Sequence, residues 1–117
     1  MIVKSERLKH AILAALADVE LQRILDTAMY ESKSVNDIIH ETKISHTTAY
    51  RKIRWLVEEK LLFVDKIVIT DGKKSSLFRT ILKTFTVKYE YNNVIIEAEQ
   101  NVDTLRKVTE RFFSLDE

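Results

Sequence analysis

One stretch of the chain, TKISHTTAYRKIRWLVEEKLL at residues 42–62, carries hydroxyl, phenol and guanidinium side chains at helical spacing. At about 100° per residue, its side chains separate into two faces of roughly 100° each. The apolar face consists of Ala49, Ile53, Leu56 and Val57, and the face turned away from it of Thr47, Tyr50, Arg51 and Arg54. Guanidinium groups bind guanine edges and phosphates, and hydroxyl groups bind phosphate oxygens. The spacing therefore predicts a helix over 46–59 that packs on the core through one face and offers the other to phosphates and base edges.

The start of this helix adds to the expected site. Ser45 is a good N-cap residue, and His46 opens the first turn. The free N–H groups and the positive end of the dipole at a helix N-terminus favour phosphate. We expect both residues to lie against DNA.

The distribution of charge along the chain is uneven. Residues 43–83 hold ten Lys and Arg against four Asp and Glu, a net +6, whereas the whole chain carries only +1. A basic middle between acidic ends is typical of a surface that binds a polyanion. A scatter of solvated charges would give the same count, so the charge alone does not decide between the two.

Three helical patterns come before the 46–59 helix and must position it. Each has a residue suited to cap its N-terminus: Ser5, Asp18 and Ser34. Asp37, three residues after Ser34, completes a pattern like a capping box. The third pattern ends near Glu41, and a turn of three or four residues leads into the next helix.

Two β-hairpins are predicted after it. In the first, LLFVDKIVIT and SSLFRTIL flank a turn at Asp71–Gly72, and Lys73 and Lys74 lie at its tip. We expect residues 71–76 to form a wing that contacts the phosphate backbone.

The second hairpin is predicted in TFTVKYEYNNVIIEAE, with Asn92–Asn93 as a two-residue turn. This turn would place Tyr89 opposite Ile96 and Lys88 opposite Glu97. One face of its first strand is apolar and is interpreted as core or dimer interface, with a ligand pocket as the alternative: Phe85, Val87, Tyr89 and Tyr91.

The last segment, NVDTLRKVTERFFSLDE, is predicted to be a helix that begins after Asn101. Its apolar residues fall in an arc of roughly 140° and must bury against something. Either they close over the chain's own core, or they pair with the first helix in a homodimer, which would set two recognition helices about 34–36 Å apart. We favour the dimer, with these residues in the interface: Leu8, Ile12, Leu105, Val108 and Phe112.

The order of three helices and a basic-tipped hairpin resembles a winged helix-turn-helix. LADVELQRIL (16–25) is similar to the opening of ArsR-type regulators, and ISHTTAYRKIRWLVEEKLLFV to their recognition helix and first wing strand. The trailing hairpin resembles that of small archaeal winged-helix regulators. The resemblance covers roughly residues 16–82 and implies a dimeric DNA-binding transcription regulator. It also implies that Thr47, Thr48, Tyr50 and Arg51 meet DNA. Lys60 stands where the family often has a capping glycine, which predicts a distorted turn.

Metal sensing does not carry over from this resemblance. The chain has no cysteine, and His10, His40 and His46 show no ligand spacing. Sequence motifs of phosphate loops, zinc proteases and serine hydrolases are missing, so we expect no metal, no cofactor and no enzymatic activity. Two alternatives stay open. The fold could serve as a protein-interaction module on transcription machinery, and Trp55 could either pack against the wing or the second hairpin or touch the DNA backbone.

Length and composition predict one α+β domain, because 117 residues can bury a single core. We divide it into a winged-helix core (5–83), a second hairpin (84–100) and a C-terminal helix (101–117). With no apolar run of membrane length and no signal-peptide pattern, a cytoplasmic protein without a membrane partner is expected.

Overall fold

The computed structural model describes residues 1–101, which form an α+β fold of four helices followed by two antiparallel β-hairpins. The elements are α1 (Glu6–Leu16), α2 (Val19–Thr27), α3 (Val35–Thr42), α4 (His46–Glu58), β1 (Leu62–Thr70), β2 (Lys73–Thr80), β3 (Leu82–Glu90) and β4 (Asn93–Gln100). This order is compatible with a winged helix-turn-helix. The predicted C-terminal helix, with Leu105, Val108 and Phe112, lies outside the described residues.

The first three helices begin where their sequences predict. Ser5 Oγ accepts a hydrogen bond from the Leu8 N–H, and Asp18 Oδ1 accepts two backbone N–H groups at 2.9 and 3.0 Å. Ser34 and Asp37 form a reciprocal capping box. Each cap satisfies N–H groups that have no partner within the helix, so the starts are fixed locally.

Two lysines in the left-handed conformation end the helices of the helix-turn-helix. Lys43, at φ 63°, closes α3, and its N–H donates to the Ile39 carbonyl at 2.9 Å. Lys60, also at φ 63°, closes α4, and the N–H of Leu61 donates to the Leu56 carbonyl at 2.8 Å. That pair of features is a regular Schellman motif. The distorted turn expected at Lys60 is therefore absent, and the strain stays in the lysine backbone.

The core lies between the helices and the bases of both hairpins. The predicted apolar face of α4 is confirmed for Ala49, Ile53 and Leu56, which are buried, and Val57 is half-buried. Burial of such a side chain stabilises the fold by about 1.5–3 kcal/mol, so these contacts hold α4 in place. The residues with no exposed surface include Ile12, Ile24, Ile38, Ala49, Leu56 and Ile96.

The first hairpin has the predicted turn. Asp71 and Gly72 both have positive φ, 52° and 76°, and Thr70 pairs with Lys73. The register shifts at a bulge between Val64 and Lys66. At its base, the hairpin is fastened to the helices, because Lys33 and Phe78 exchange two backbone hydrogen bonds at 2.9 and 2.7 Å.

The second hairpin turns one residue earlier than predicted. Its turn residues are Tyr91 and Asn92, with φ 50° and 64°, and Glu90 pairs with Asn93. The expected Asn92–Asn93 turn is therefore wrong, and Lys88 lies opposite Ile95 instead of Glu97. Each residue of β3 pairs with a residue two positions earlier in β4 than predicted. Because the shift is by two residues, every side chain keeps its predicted face.

The N-terminal residues pair with the second hairpin through an isolated β-bridge, which the sequence did not indicate. Ile2 bridges to Glu97, the Val3 N–H donates to the Ile96 carbonyl, and the Ala98 N–H donates to the Met1 carbonyl. Val3 is buried. These bonds cover the outer edge of β4 around its middle.

Candidate nucleic-acid interface

The face of α4 turned away from the core is exposed as predicted. Thr47, Tyr50, Arg51 and Arg54 are all exposed, and so is His46 at the start of the helix. Thr48, the remaining residue expected to meet DNA, is half-buried. The face therefore offers two guanidinium groups, a hydroxyl and a phenol over about two turns of one helix.

Ser45 occupies the N-cap position of α4, but its side chain does not cap the helix. Its hydroxyl instead donates to Thr48 Oγ1 at 2.9 Å. The first-turn N–H groups of α4 thus receive no side-chain cap, unlike those of the other three helices. Uncapped N–H groups at a helix start are suited to an oxyanion such as phosphate.

His46 and Tyr50 lie one turn apart on the outer face and contact each other. Their ring centroids are 4.7 Å apart with the planes tilted by 46°. Such a pair restricts the rotamers of both rings. The contact with His46 favours the position that the Tyr50 ring occupies on the exposed surface.

The wing presents Lys73 and Lys74 as expected. Both side chains are exposed at the beginning of β2, directly after the turn at Asp71–Gly72. Because successive residues of a strand point to opposite faces, the two ammonium groups leave the wing on opposite sides.

A cleft of about 240 Å³ joins the wing to α4 and is the central feature of the site. Tyr50 from α4 and Lys74 from the wing both line it, so the structure brings these two predicted residues together. The other lining residues come from the start of α3 and from β2, and most of them are polar: Ser34, Val35, Asn36, Ser75, Ser76 and Phe78. Sequence reasoning missed these residues, because β2 lies beside α3 through long-range contacts such as the Lys33–Phe78 bridge. The one sequence signal for this lining was the pair of serines, Ser75 and Ser76, that follows Lys73 and Lys74.

Lys52 is on α4 but does not belong to the outer face. Its Nζ donates to Asp18 Oδ2 at 2.5 Å and lies 3.2 Å from Glu20 Oε1, with only 12% of the side chain exposed. The hydrogen bond from Lys52 lowers the pKa of the Asp18 carboxyl, and the same bond raises the pKa of Lys52. The pair ties α4 to the start of α2 and thereby fixes the orientation of the exposed face.

Arg79 is a second cation that the charge count assigned to the surface. In the folded chain it is buried. It lies at the inner end of β2, opposite Phe63. The basic surface near α4 and the wing is therefore smaller than the net +6 of residues 43–83 indicates.

The other sequence-level candidates fall outside this interface. Trp55 is half-buried and packs against the core. Phe85 lines a separate cleft of about 350 Å³ between the helices and β3, whereas Val87, Tyr89 and Tyr91 do not. Within residues 1–101, no three His, Asp or Glu side chains gather into a possible metal site.

Two of the expected dimer-interface residues can be located. Ile12 has no exposed surface and lies in the chain's own core, so it cannot touch a second copy in this structure. Leu8 is half-buried and packs against the same core. The remaining three, Leu105, Val108 and Phe112, lie beyond the described part.

The chain has a distant similarity to a solved structure. The chain overlays on the crystal structure of NolR from Sinorhizobium fredii with a TM-score of 0.44 and 12% sequence identity, over 96% of this chain and 97% of that one. No family model and no curated protein sequence matches the chain. In the described part, none of the helices is long and apolar enough to cross a membrane.

Proposed function

We propose that this chain is a sequence-specific transcription regulator that binds double-stranded DNA, with α4 in the major groove and the β1–β2 wing on the phosphate backbone. The observation that carries the proposal is the polar cleft shared by Tyr50 of α4 and Lys74 of the wing. A helix and a hairpin that meet in one basic, hydroxyl-lined surface can grip a groove and its neighbouring strand together.

Arg51 and Arg54 are the proposed readers of the groove. Both are exposed on the outer face of α4, and no described ion pair involves either of them. An α-helix fits the major groove, and a guanidinium group can bond the two acceptors of a guanine. Thr47 lies between them in projection and supplies a hydroxyl to the same strand.

The start of α4 and the cleft are proposed to hold phosphates. Ser45 leaves the first-turn N–H groups without a side-chain cap, and His46 and Thr48 lie beside them. Tyr50 and Lys74 would bind the next phosphate along the strand from the two sides of the cleft. These contacts set the register of the protein on DNA without reading its sequence.

A homodimer is part of the proposal, because two recognition helices on one face of the duplex would read a palindromic site. The C-terminal residues Leu105, Val108 and Phe112 remain proposed interface residues, with Leu8 at its edge. Ile12 is left out, since it is buried within the chain itself.

The test begins with selection of bound sequences from a random duplex library, followed by affinity measurements on the selected site. Arg51→Ala should weaken binding about 5- to 150-fold, the equivalent of about 1–3 kcal/mol for one specific arginine contact. Arg23→Ala is the matched control, because Arg23 is exposed on α2 away from the cleft and removes the same charge.

Three outcomes distinguish sequence reading by α4 from non-specific attraction to DNA and from the protein-interaction alternative. A loss with Arg51→Ala alone supports reading by α4, and equal losses in both variants would indicate non-specific attraction. If neither variant changes affinity, or if the chain is not retained on DNA resin in a salt-dependent way, the protein-interaction reading replaces this proposal.

A further inference from the structure

Three of the four strand edges that could face solvent are covered or interrupted in the described residues. Residues 1–3 bond to the outer edge of β4, and Lys33 bonds to the outer edge of β2 at Phe78. On β1, a bulge at Asp65 breaks the ladder, and bulges turn an edge away from new pairing. Beyond this bulge only the backbone groups of Ile67 and Ile69 point outward on β1, so β3 offers the longest uninterrupted free edge of the described residues.

The outer edge of β3 exposes a regular row of backbone groups. Glu90 and Asn93 close a two-residue turn, so they form a hydrogen-bonded pair, and so do Lys88 with Ile95 and Thr86 with Glu97. The N–H and C=O groups of Phe85, Val87 and Tyr89 therefore point outward. No backbone group of residues 1–101 bonds to them across that edge. From Thr84 to Glu90 the strand contains no bulge.

The side chains of the same three residues form an apolar face that is incompletely covered. Phe85 is half-buried against the core, Val87 is 38% exposed and Tyr89 is 69% exposed. A large aromatic ring buries 150–250 Å² when it is covered. Unpaired backbone and exposed apolar side chains thus coincide on one edge, which is the condition for adding another strand.

We propose that β3 pairs antiparallel with β3 of a second copy of this chain, about a two-fold axis through Val87. In this register Phe85 lies opposite Tyr89 of the second copy and Val87 opposite Val87, so the apolar row complements itself. Aromatic and β-branched cross-strand pairs are favourable. Two hairpins then become one four-stranded sheet.

Neighbouring registers are less favourable. A shift toward the turn sets Lys88 against Lys88 of the second copy, and like charges directly opposite are destabilising. A shift toward the base sets Tyr89 against Lys83 and loses the aromatic pair. In the proposed register Lys88 lies opposite Thr86, whose other cross-strand neighbour is the exposed Glu97. No like charges lie directly opposite each other in this register.

The strand that pairs with β3 comes from a second copy of the chain, because a contact between two identical edges leaves neither of them free. In the described residues, residues 1–3 occupy the outer edge of β4, and the free stretch of β1 is limited to the outward backbone groups of Ile67 and Ile69. A two-fold contact between two β3 edges uses both of them, so the product is a dimer and not a fibre. This contact is an alternative to the terminal-segment interface given under the proposed function. Because the mass is measured without DNA, its failure would leave the DNA-binding proposal standing.

The experiment is the solution mass of the full chain, without DNA, by light scattering after size exclusion at about 100 µM. We expect twice the 13.7 kDa chain mass for the wild type and one chain mass for Val87→Pro. The Val87 N–H points outward, so proline removes no bond of the hairpin itself and blocks only the added strand. Ile69→Pro is the matched control, because it places proline at an outward N–H of β1, and it should stay dimeric.

A second variant covers the case in which Val87→Pro fails to fold. Tyr89→Lys keeps the backbone, puts a charge into the apolar row and should also give one chain mass. A wild-type monomer overturns the inference, and so does a folded Val87→Pro or Tyr89→Lys variant that remains dimeric. Replacement of Leu105 and Phe112 by Ser should leave the dimer intact. A monomer from that variant, with a dimer from Val87→Pro, would assign the contact to the terminal segment.

Discussion

Asp18 uses its two carboxylate oxygens for two separate contacts, and the two can be removed one at a time. Oδ1 accepts the N–H groups of Glu20 and Leu21 and so caps α2. Oδ2 accepts the ammonium of Lys52, which joins α2 to the recognition helix. Asp18→Asn keeps a good capping oxygen and removes the charge, whereas Asp18→Ala removes both.

The expected losses follow from these contacts. A hydrogen bond to a charged group contributes about 1.5–3 kcal/mol when buried, but 34% of the Asp18 side chain is exposed, which reduces this to about 1 kcal/mol. Lys52 also keeps Glu20 at 3.2 Å as a second partner. Asp18→Asn should therefore cost about 1 kcal/mol, and Asp18→Ala about 2, since a lost N-cap adds about 1. In melting temperature, each kcal/mol corresponds to about 4 °C for a chain of this size.

The contribution of Asp18 must also depend on pH in a definite direction. The pKa of Asp18 is lowered in the folded chain, so its stabilisation is complete above the ordinary carboxyl value of about 3.9 and is lost as pH falls through the folded value. Lys52 has a raised pKa, so its contribution is complete below about 10.4 and is lost only as pH rises past that value. The difference between wild type and Asp18→Asn should be largest near neutral pH and shrink below pH about 4.

Urea unfolding followed by circular dichroism, at neutral and at acid pH, measures these differences. Lys52→Met, alone and combined with Asp18→Asn, completes a double-mutant cycle for the pair. Equal stability of Asp18→Asn and wild type at neutral pH would refute the assigned ion pair. Equal losses for the Asn and Ala variants would instead refute the capping role of Oδ1.

Three further outcomes are expected. Replacing Lys73 and Lys74 together by Ala should weaken binding to all DNA sequences alike and make the log–log salt dependence shallower by up to about 2; an unchanged slope would mean that the wing does not reach DNA. Tyr50→Phe removes only the phenolic hydroxyl, so affinity for the selected site should fall about fivefold, or about 1 kcal/mol, with no change in melting temperature; an unchanged affinity would remove this hydroxyl from the phosphate contacts. Lys60→Gly should raise the free energy of unfolding by about 0.5–1 kcal/mol in urea titration, because relief of left-handed strain exceeds the added freedom of the unfolded chain; a loss of stability would contradict the strain assigned to Lys60.

The starts of the first three helices and the faces of α4 could be predicted from the sequence. Ser5, Asp18 and Ser34 cap helices through bonds to residues two or three positions away, so the information is local. The burial of Ala49, Ile53 and Leu56 likewise follows from a fixed rotation per residue. The turn at Asp71–Gly72 needs two residues that tolerate positive φ, and the sequence offers that pair directly.

The register of the second hairpin could not be predicted in this way. Asn92–Asn93 suits a two-residue turn better than Tyr91–Asn92, which places a tyrosine at φ 50°. The observed register pairs the buried Ile96 with Val87, and the backbone of Ile96 also bonds to Val3. Local turn preference is about 1 kcal/mol per residue, and contacts with the core and the N-terminal residues can exceed it.

Tertiary structure removed some expected residues from the candidate interface and added others. Sequence counting placed Lys52 and Arg79 among the surface cations, but one pairs with Asp18 and the other is buried. It missed Asn36, Ser75 and Ser76, which reach the cleft because β2 folds back to Lys33. Periodicity fixes which way a side chain points from its own helix or strand, since that depends on a few neighbouring torsions. What it then meets depends on residues far along the chain, and only the folded packing brings those together.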